Sequence, residues 1–352
     1  MKKHQWILGL ILLAALVGLV LWGRDRIHFD FGAFRAQIAL ADWRRIVIAT
    51  SCIYIAYLFR AARWALLLRH NKKVPLLSLT GTQVIGFTAV ALIGRVADPV
   101  RPYLVAKRTG LTLSTQLAVY IVERLFDAGS MALIISTVIL LAPANALPHA
   151  EIARKAGYTG LAITLLGGLF LFVIRRSGAV VAKLFEQAFG AISENLGHAA
   201  GNKIRAFHAG LDTMRSISDF GMAASISLTM WALISLAYLE TMHAFVASPE
   251  LATMNLPCCM LLLAWSGGTS VLQLPVLGWF SQIAAVAWAL SSFFGASAEA
   301  STACAATLLL VTFISVIPVG LVWARFEHVS LRKLAAESGQ AEEVLEIEEA
   351  AQ

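Results

Sequence analysis

The chain has 352 residues, of which 59% are hydrophobic and 14% charged, with a formal net charge of +7 and a mean hydropathy of +0.74. Soluble domains carry about 25% charged residues, so a water-soluble domain is excluded and an all-α polytopic membrane protein is the class that fits. The positive balance is not a nucleic-acid footprint, because the basic residues cluster at the ends of apolar runs, where they set orientation and hold anionic lipid.

Met1-Lys2-Lys3 precedes an apolar run, Trp6–Gly23. The run exceeds a signal-peptide core and no small-x-small cleavage site follows, so it reads as a retained first span with its basic end inside. Over His28–Arg45, Phe29, Phe31, Phe34, Ile38 and Leu40 alternate with Asp30, Arg35, Gln37 and Asp42; this predicts an amphipathic helix on the outer interface. Ile46–Leu68 is long enough to cross the hydrocarbon core. It carries Arg60 and Arg63, three apart and on one helix face, beside Trp64. They either snorkel to the inner headgroups or form a basic wall facing a site.

After the inner loop with Arg69, Lys72 and Lys73, Leu76–Ile93 carries Ser78, Thr80, Thr82, Gln83 and Thr88 with Gly81 and Gly86. That is too polar for a lipid-facing helix, and it reads as the descending half of a re-entrant hairpin. Its tip, Ile93–Tyr103, sets Arg95, Asp98 and Arg101 among Gly94, Pro99 and Pro102. Each proline lacks an N–H and disfavours helix in the residue before it. Broken backbone survives in hydrocarbon only where protein or a wet cavity satisfies it, so charge at a break is a site hypothesis by default. Val100–Lys107 is the return. The next span, Leu113–Leu141, carries Glu123, Arg124 and Asp127 on one face. A charge at the bilayer centre costs about 2.5–3.5 kcal/mol on insertion scales, so these three must be paired or wet, with Arg95 and Arg101 as partners.

Gly157–Ile174 spans back. Residues 175–219 read as cytoplasmic amphipathic helices tending to an αα-hairpin. Phe220–Val246 follows, with Glu240 and His243 at the outer interface rather than in a proton relay. A second break, with Pro275, Gly278 and Gln282 at its tip, lies between the apolar arms Leu256–Leu274 and Ser281–Phe294, and Thr302–Trp323 is a clean span. If both breaks are re-entrant, the chain has about six full spans plus two hairpins entering from opposite sides, the outline of an inverted repeat. If the hairpins cross fully, the sides between them change. Residues 1–333 then form one membrane domain, both termini are cytoplasmic, and 334–352, with six glutamates and no base, is a solvated, disordered tail.

Cys52, Cys258, Cys259 and Cys304 lie in apolar runs without CxxC spacing and read as buried thiols. The histidines at 198, 208 and 243 have no ligand spacing, so no metal and no cofactor is expected, and no GxxxxGK[ST] phosphate loop occurs. The chemistry rests on the arginines. A guanidinium fork matches phosphate bidentately. Arg95 and Arg101, with Arg60 or Arg63, are the residues to hold a membrane phospholipid headgroup in a polar notch. Asp98, Glu123 and Asp127 keep those arginines oriented or receive a cationic headgroup. The blander reading is a buried network that fixes helix register.

The run Gly94-Arg95-Val96-Ala97-Asp98-Pro99-Val100-Arg101-Pro102, then Lys107-Arg108-Thr109-Gly110 and Val122-Glu123-Arg124-Leu125-Phe126-Asp127, resembles the lysylphosphatidylglycerol synthase transmembrane-region family. This is the flippase-like domain that also forms the membrane half of the multiple peptide resistance factor. The family pattern is P-G-R-x-G-E-x-x-R followed by V-E-R-x-x-D. Gly94, Arg95, Arg101, Glu123, Arg124 and Asp127 match, while Ile93, Ala97 and Asp98 replace the proline, second glycine and glutamate. The second signature, P-G-G-x-G-x-x-E, is only approached by Leu274–Gln282, and its carboxylate is missing. The resemblance implies translocation of an anionic or aminoacylated phospholipid, or a lipid-linked intermediate, across a bacterial inner membrane, without the soluble aminoacyl-transferase domain. Two other classes compete. One is an intramembrane headgroup or glycosyl transferase with Glu123 or Asp127 as base. The other is a membrane partner of a separate lipid-modifying synthase, docking through 175–219 or the tail. The pattern is compatible with an oligomer.

Overall fold

The computed structural model describes residues 29–94, 97–211, 216–269 and 277–331, with residues 334 and 337 beyond. The expected first span, Arg95, Pro275 and the remainder of the acidic tail lie outside the described residues. Among those described, every regular element is helical, and six helices are long and apolar enough to cross a membrane.

In chain order the helices are α1 Phe31–Ala39, α2 Trp43–Leu68, α3 Leu76–Ile93, α4 Val100–Thr109, α5 Leu113–Leu141, α6 Ala150–Gly190, α7 Glu194–Leu211, α8 Ile217–His243, α9 Leu256–Thr269, α10 Leu277–Phe294 and α11 Ala298–Phe326. The amphipathic stretch expected over 28–45 is divided. Asp30 caps α1 by accepting from the Gly32 and Ala33 amides, and Asp42 caps α2 by accepting from Arg44 N at 3.0 Å. An acidic cap inside a periodic stretch starts a new helix, which the apolar periodicity alone does not reveal.

Cross-links at the helix ends define two opposite ends of the bundle. At one, Arg45 pairs with Glu240 at 2.7 Å, His243 Nε2 meets the Met254 carbonyl at 2.8 Å, Asn255 Nδ2 donates to Ala146 O, and Asp30 N donates to Glu299. At the other, Asp219 takes Arg69 and His70 while closing a capping box with Ser216. The start of α3 and the end of α4 also meet there: Arg108 Nη1 donates to Ser78 O at 2.7 Å, and Lys72 Nζ to Thr109 O at 2.6 Å. So α3 and α4 form a closed hairpin whose base lies at the Asp219 end. The ten residues of α4 reach about 15 Å, half the hydrocarbon thickness. The pair α9 and α10 packs together through Trp265, whose Nε1 donates to Ala285 O and whose ring lies 5.2 Å from that of Trp288. Asn255, just before α9, and Glu299, just after α10, both belong to the Glu240 end. The two hairpins therefore rise from opposite ends.

Helices α2 and α8 pack side by side at the centre, α3 lies against α2 and α11, and α5 contacts α4, α8 and α9. Helix α6 kinks at Ser177 (φ −143°, ψ 41°), and α7 folds back on its second half, with Glu186 taking His198 at 2.8 Å and Arg205 at 3.2 Å. Its first half is lipid-like in exposure: Ile163, Leu165 and Leu166 are more than 60% exposed. The expected clean last span contains a π-helical turn, Leu310–Ile314. Pro318 has no N–H for the Ile314 carbonyl four residues back, and the chain widens there. Leu334 is buried against α4, and Glu337 accepts from Tyr103 OH at 3.1 Å. All four cysteines are buried thiols.

Candidate functional site: a buried arginine–carboxylate cluster

The first hairpin turns where the sequence breaks. Gly94 caps α3 with φ +92°, a conformation glycine adopts at no steric cost, and its amide still reaches Val90 O. Pro99 precedes α4, and Pro102 occupies the first turn of α4, where a helix amide has no intrahelical partner to lose. That turn places Arg101 beside Gly86 of α3, close enough that a Cβ on Gly86 would lie 2.1 Å from Arg101 Cγ. Gly86 is ten residues from the start of α3, so Arg101 sits about 15 Å above the hairpin base.

Arg101 is fully buried, as is Arg63 of α2; Glu123 and Asp127 of α5 are 1% and 5% exposed. Arg63 Nη2 lies 3.0 Å from Glu123 Oε1 and 2.7 Å from Asp127 Oδ1, while its Nη1 donates to Ser227 of α8 at 2.6 Å. Arg101 Nη1 donates to Glu123 at 3.3 Å and to Gln83 Oε1 at 3.2 Å. Arg124 Nη2 is 3.0 Å from Asp127, and Arg60 Nη1 is 3.9 Å from Asp127 and 4.0 Å from Glu123. Asp98 acts electrostatically on Arg124. Aromatic rings wall the cluster: the Arg101 guanidinium is 4.4 Å from the Phe87 centroid and 4.9 Å from that of Tyr120, and Arg60 lies over Phe87 at 4.7 Å.

Of the sequence-predicted residues, Arg60, Arg63, Arg101, Glu123, Arg124 and Asp127 thus meet in one cluster. The alternative of snorkelling is overturned for Arg63, which is 0% exposed and doubly paired. Asp98 stands at the hairpin tip beside this cluster. Gly278 and Gln282 sit apart from it, at the start of α10. Gln282 Nε2 is 3.4 Å from Ser266 Oγ, and both line a cavity of about 210 Å³ whose opposite wall includes Arg60. Glu240 and His243 have partners at the bundle end and do not join the cluster. Sequence reading missed Ser227, one hydroxyl among many in an apolar span, and the cavity-facing Tyr57, Trp231 and Tyr238. The polarity of α3 pointed to Gln83, without naming its partner.

The four described arginines carry more positive charge than Glu123, Asp127 and Asp98 offset. Buried donors also remain: Arg101 Nε and Nη2, Gln83 Nε2 and Gln116 Nε2 have no hydrogen-bond partner among the described residues. Asp127 Oδ1 and Oδ2 likewise have ion-pair contacts but no hydrogen-bond partner among the described residues, so the cluster combines a surplus of positive charge with unsatisfied polar atoms of both kinds. Among the described residues no group of three or more His, Cys, Asp or Glu is arranged for a metal ion.

Fold and site together define a polytopic α-helical membrane protein with a buried, cationic polar centre. The chain matches the family described as "Lysylphosphatidylglycerol synthase TM region" over residues 6–322, and it belongs to that family. No curated protein and no solved structure matches it.

Proposed function

We infer that this protein moves a phospholipid between the leaflets of a bacterial inner membrane, holding the headgroup phosphate on Arg101 and Arg60, while Arg63 anchors Glu123 and Asp127 and Arg95 follows Gly94 in sequence. The observation that carries this reading is the set of open guanidinium and amide donors on a cationic cluster midway up a hairpin. The two hairpins act as re-entrant elements of an inverted repeat, an arrangement that places a site at the midplane. Their bases at opposite ends of the bundle, and the ten-residue α4, support this. The basic end with Lys72, Lys73, Lys107 and Arg108 faces the cytoplasm under the positive-inside rule. Glu123 accepts from Arg63 and Arg101 at once, which suits an anchor better than a general base. A separate lipid synthase supplies the modified lipid where one is needed.

The test is reconstitution into vesicles with headgroup-labelled lipid and a membrane-impermeant quencher. Wild-type protein accelerates loss of the protected signal, and Arg101→Ala and Glu123→Ala abolish that acceleration while still inserting. Wild-type rates equal to those of empty vesicles across several lipid classes would overturn the reading.

A further inference from the structure

Helix α11 has two halves that belong to different cores. The buried side chains of its first half, Ala300, Ala303, Cys304 and Leu308, share a core with Cys259 of α9 and Leu290 of α10, so this half goes with the second hairpin. It also packs on α1, where Asp30 N donates to Glu299. The second half, Val316–Phe326, packs instead on α3. The fit there is close, because a Cβ on Gly81 of α3 would lie 2.4 Å from Trp323 Nε1. Residues after the helix fasten it to α4 as well. Glu327 takes Trp323 Nε1 at 3.0 Å and pairs with Arg108. Leu334 is buried in one core with Ala324, Val100 and Leu104, and Glu337 accepts from Tyr103 OH at 3.1 Å. The second half of α11 and the first hairpin are therefore joined at both α3 and α4.

The π-helical turn Leu310–Ile314 lies between these halves. Ser315 N donates to Leu310 O at 2.8 Å, five residues back, so the turn holds one residue more than an α-turn. One turn on, Pro318 offers Ile314 O no amide. Helices bend at π-bulges and at prolines, and this junction has both. It also has a bearing on the central helix α2. Val311 and Val316 share a core with Ile53 and Tyr57, and Tyr54 OH donates to Ser315 O at 2.8 Å. The seam between the two bodies runs past the arginine cluster: Arg101 of α4 meets Glu123 of α5 at 3.3 Å, and the Phe87 ring of α3 lies 5.2 Å from that of Tyr57. Thr312 and Phe313 of the turn line the same cavity as Arg60 and Phe87. A bend at the turn therefore reshapes the space beside the cluster.

Resting on the lipid-moving reading above, we propose that this π-helical turn is a hinge, on which the first hairpin and the second half of α11 swing as one body against the rest of the bundle. The test is pulsed dipolar spectroscopy on the full chain in vesicles of phosphatidylethanolamine and phosphatidylglycerol. Spin labels at Phe326→Cys and Ile217→Cys span the hinge, and labels at Phe326→Cys and Leu92→Cys lie within the moving body. All three side chains are exposed, while the four native thiols are buried, and the chain without introduced cysteines gives the labelling blank. The pair across the hinge shows two distance populations and the pair within the body shows one. Pro318→Ala supplies the missing amide, and deletion of Thr312 returns the π-turn to an α-turn. Each leaves one population across the hinge and lowers lipid movement at least tenfold. The thermal midpoint of Pro318→Ala does not fall, since a proline inside a helix destabilises it. One population across the hinge in the wild type, two that survive Pro318→Ala and the deletion, or a pair within the body as broad as the pair across it overturns the hinge. Two populations that collapse as expected, in a protein that moves no lipid in the vesicle assay, overturn the transport reading and leave the hinge standing.

Discussion

Arg63 illustrates how a charge persists in this interior. It has both carboxylates and the Ser227 hydroxyl on its guanidinium and no exposed surface. Breaking a buried pair by removing one partner costs about 3–5 kcal/mol, because the other charge is left uncompensated. Arg63→Ala is therefore expected to destabilise the protein by about that amount, read as a large fall in the thermal midpoint in detergent. Arg101 differs: one of its nitrogens is paired, and two have no hydrogen-bond partner among the described residues. Arg101→Ala should cost less stability than Arg63→Ala and more lipid movement. Equal losses of stability in the two variants would mean that Arg101 is structural. Gly86→Ala gives a separate probe, since its methyl would collide with Arg101 Cγ at 2.1 Å. It should lower transport at least tenfold with every charged residue left in the sequence. An unchanged rate would place Arg101 outside the path.

At the scale of elements, the breaks at Gly94, Pro99 and Pro102 and the charges on one face of α5 were legible in sequence, because each breaks a rule that lipid enforces locally. The bounds of α3 and α5 follow from them. The π-helical turn was not legible. It is the joint result of Pro318 and of its neighbours, with Tyr54 OH donating to Ser315 O and Thr88 Oγ1 to Val316 O. The second half of the site was hidden for a related reason: Trp231, Tyr238 and Ser266 look like ordinary residues of apolar spans until α8, α9 and α11 converge. Close packing of α11 on α3 depends on Gly320, where a Cβ would lie 1.9 Å from Thr88 Oγ1. Gly320→Leu should therefore destabilise by about 1–3 kcal/mol through overpacking, seen as a lowered thermal midpoint. At the Asp219 end, Asp219→Ala removes the N3 half of the α8 capping box and the partner of Arg69 together, while Ser216 still caps the helix. A loss of about 1 kcal/mol is expected from the missing hydrogen bond to the Ser216 amide, and it should show first as faster hydrogen exchange in the opening turn of α8.

For the whole molecule, the exposed apolar faces, such as Ile163 to Leu166 on α6, meet lipid, and the charged residues withdraw to a centre walled by Phe87, Tyr120 and Trp64. Composition alone indicated the membrane. It could not indicate that the basic cluster of the first hairpin and the cavity beside the second adjoin through Arg60 and Phe87, because that is a property of topology. Lipid movement by this route requires a headgroup to reach this centre. The most direct measurement is photolabelling in vesicles with a phospholipid whose crosslinker sits in the headgroup, followed by peptide mapping. Adducts are expected on the peptides bearing Arg60 and Phe87, and Arg101→Ala should abolish them. Labelling confined to residues at the two bundle ends, with the Arg60 and Phe87 peptides clean, would contradict the account.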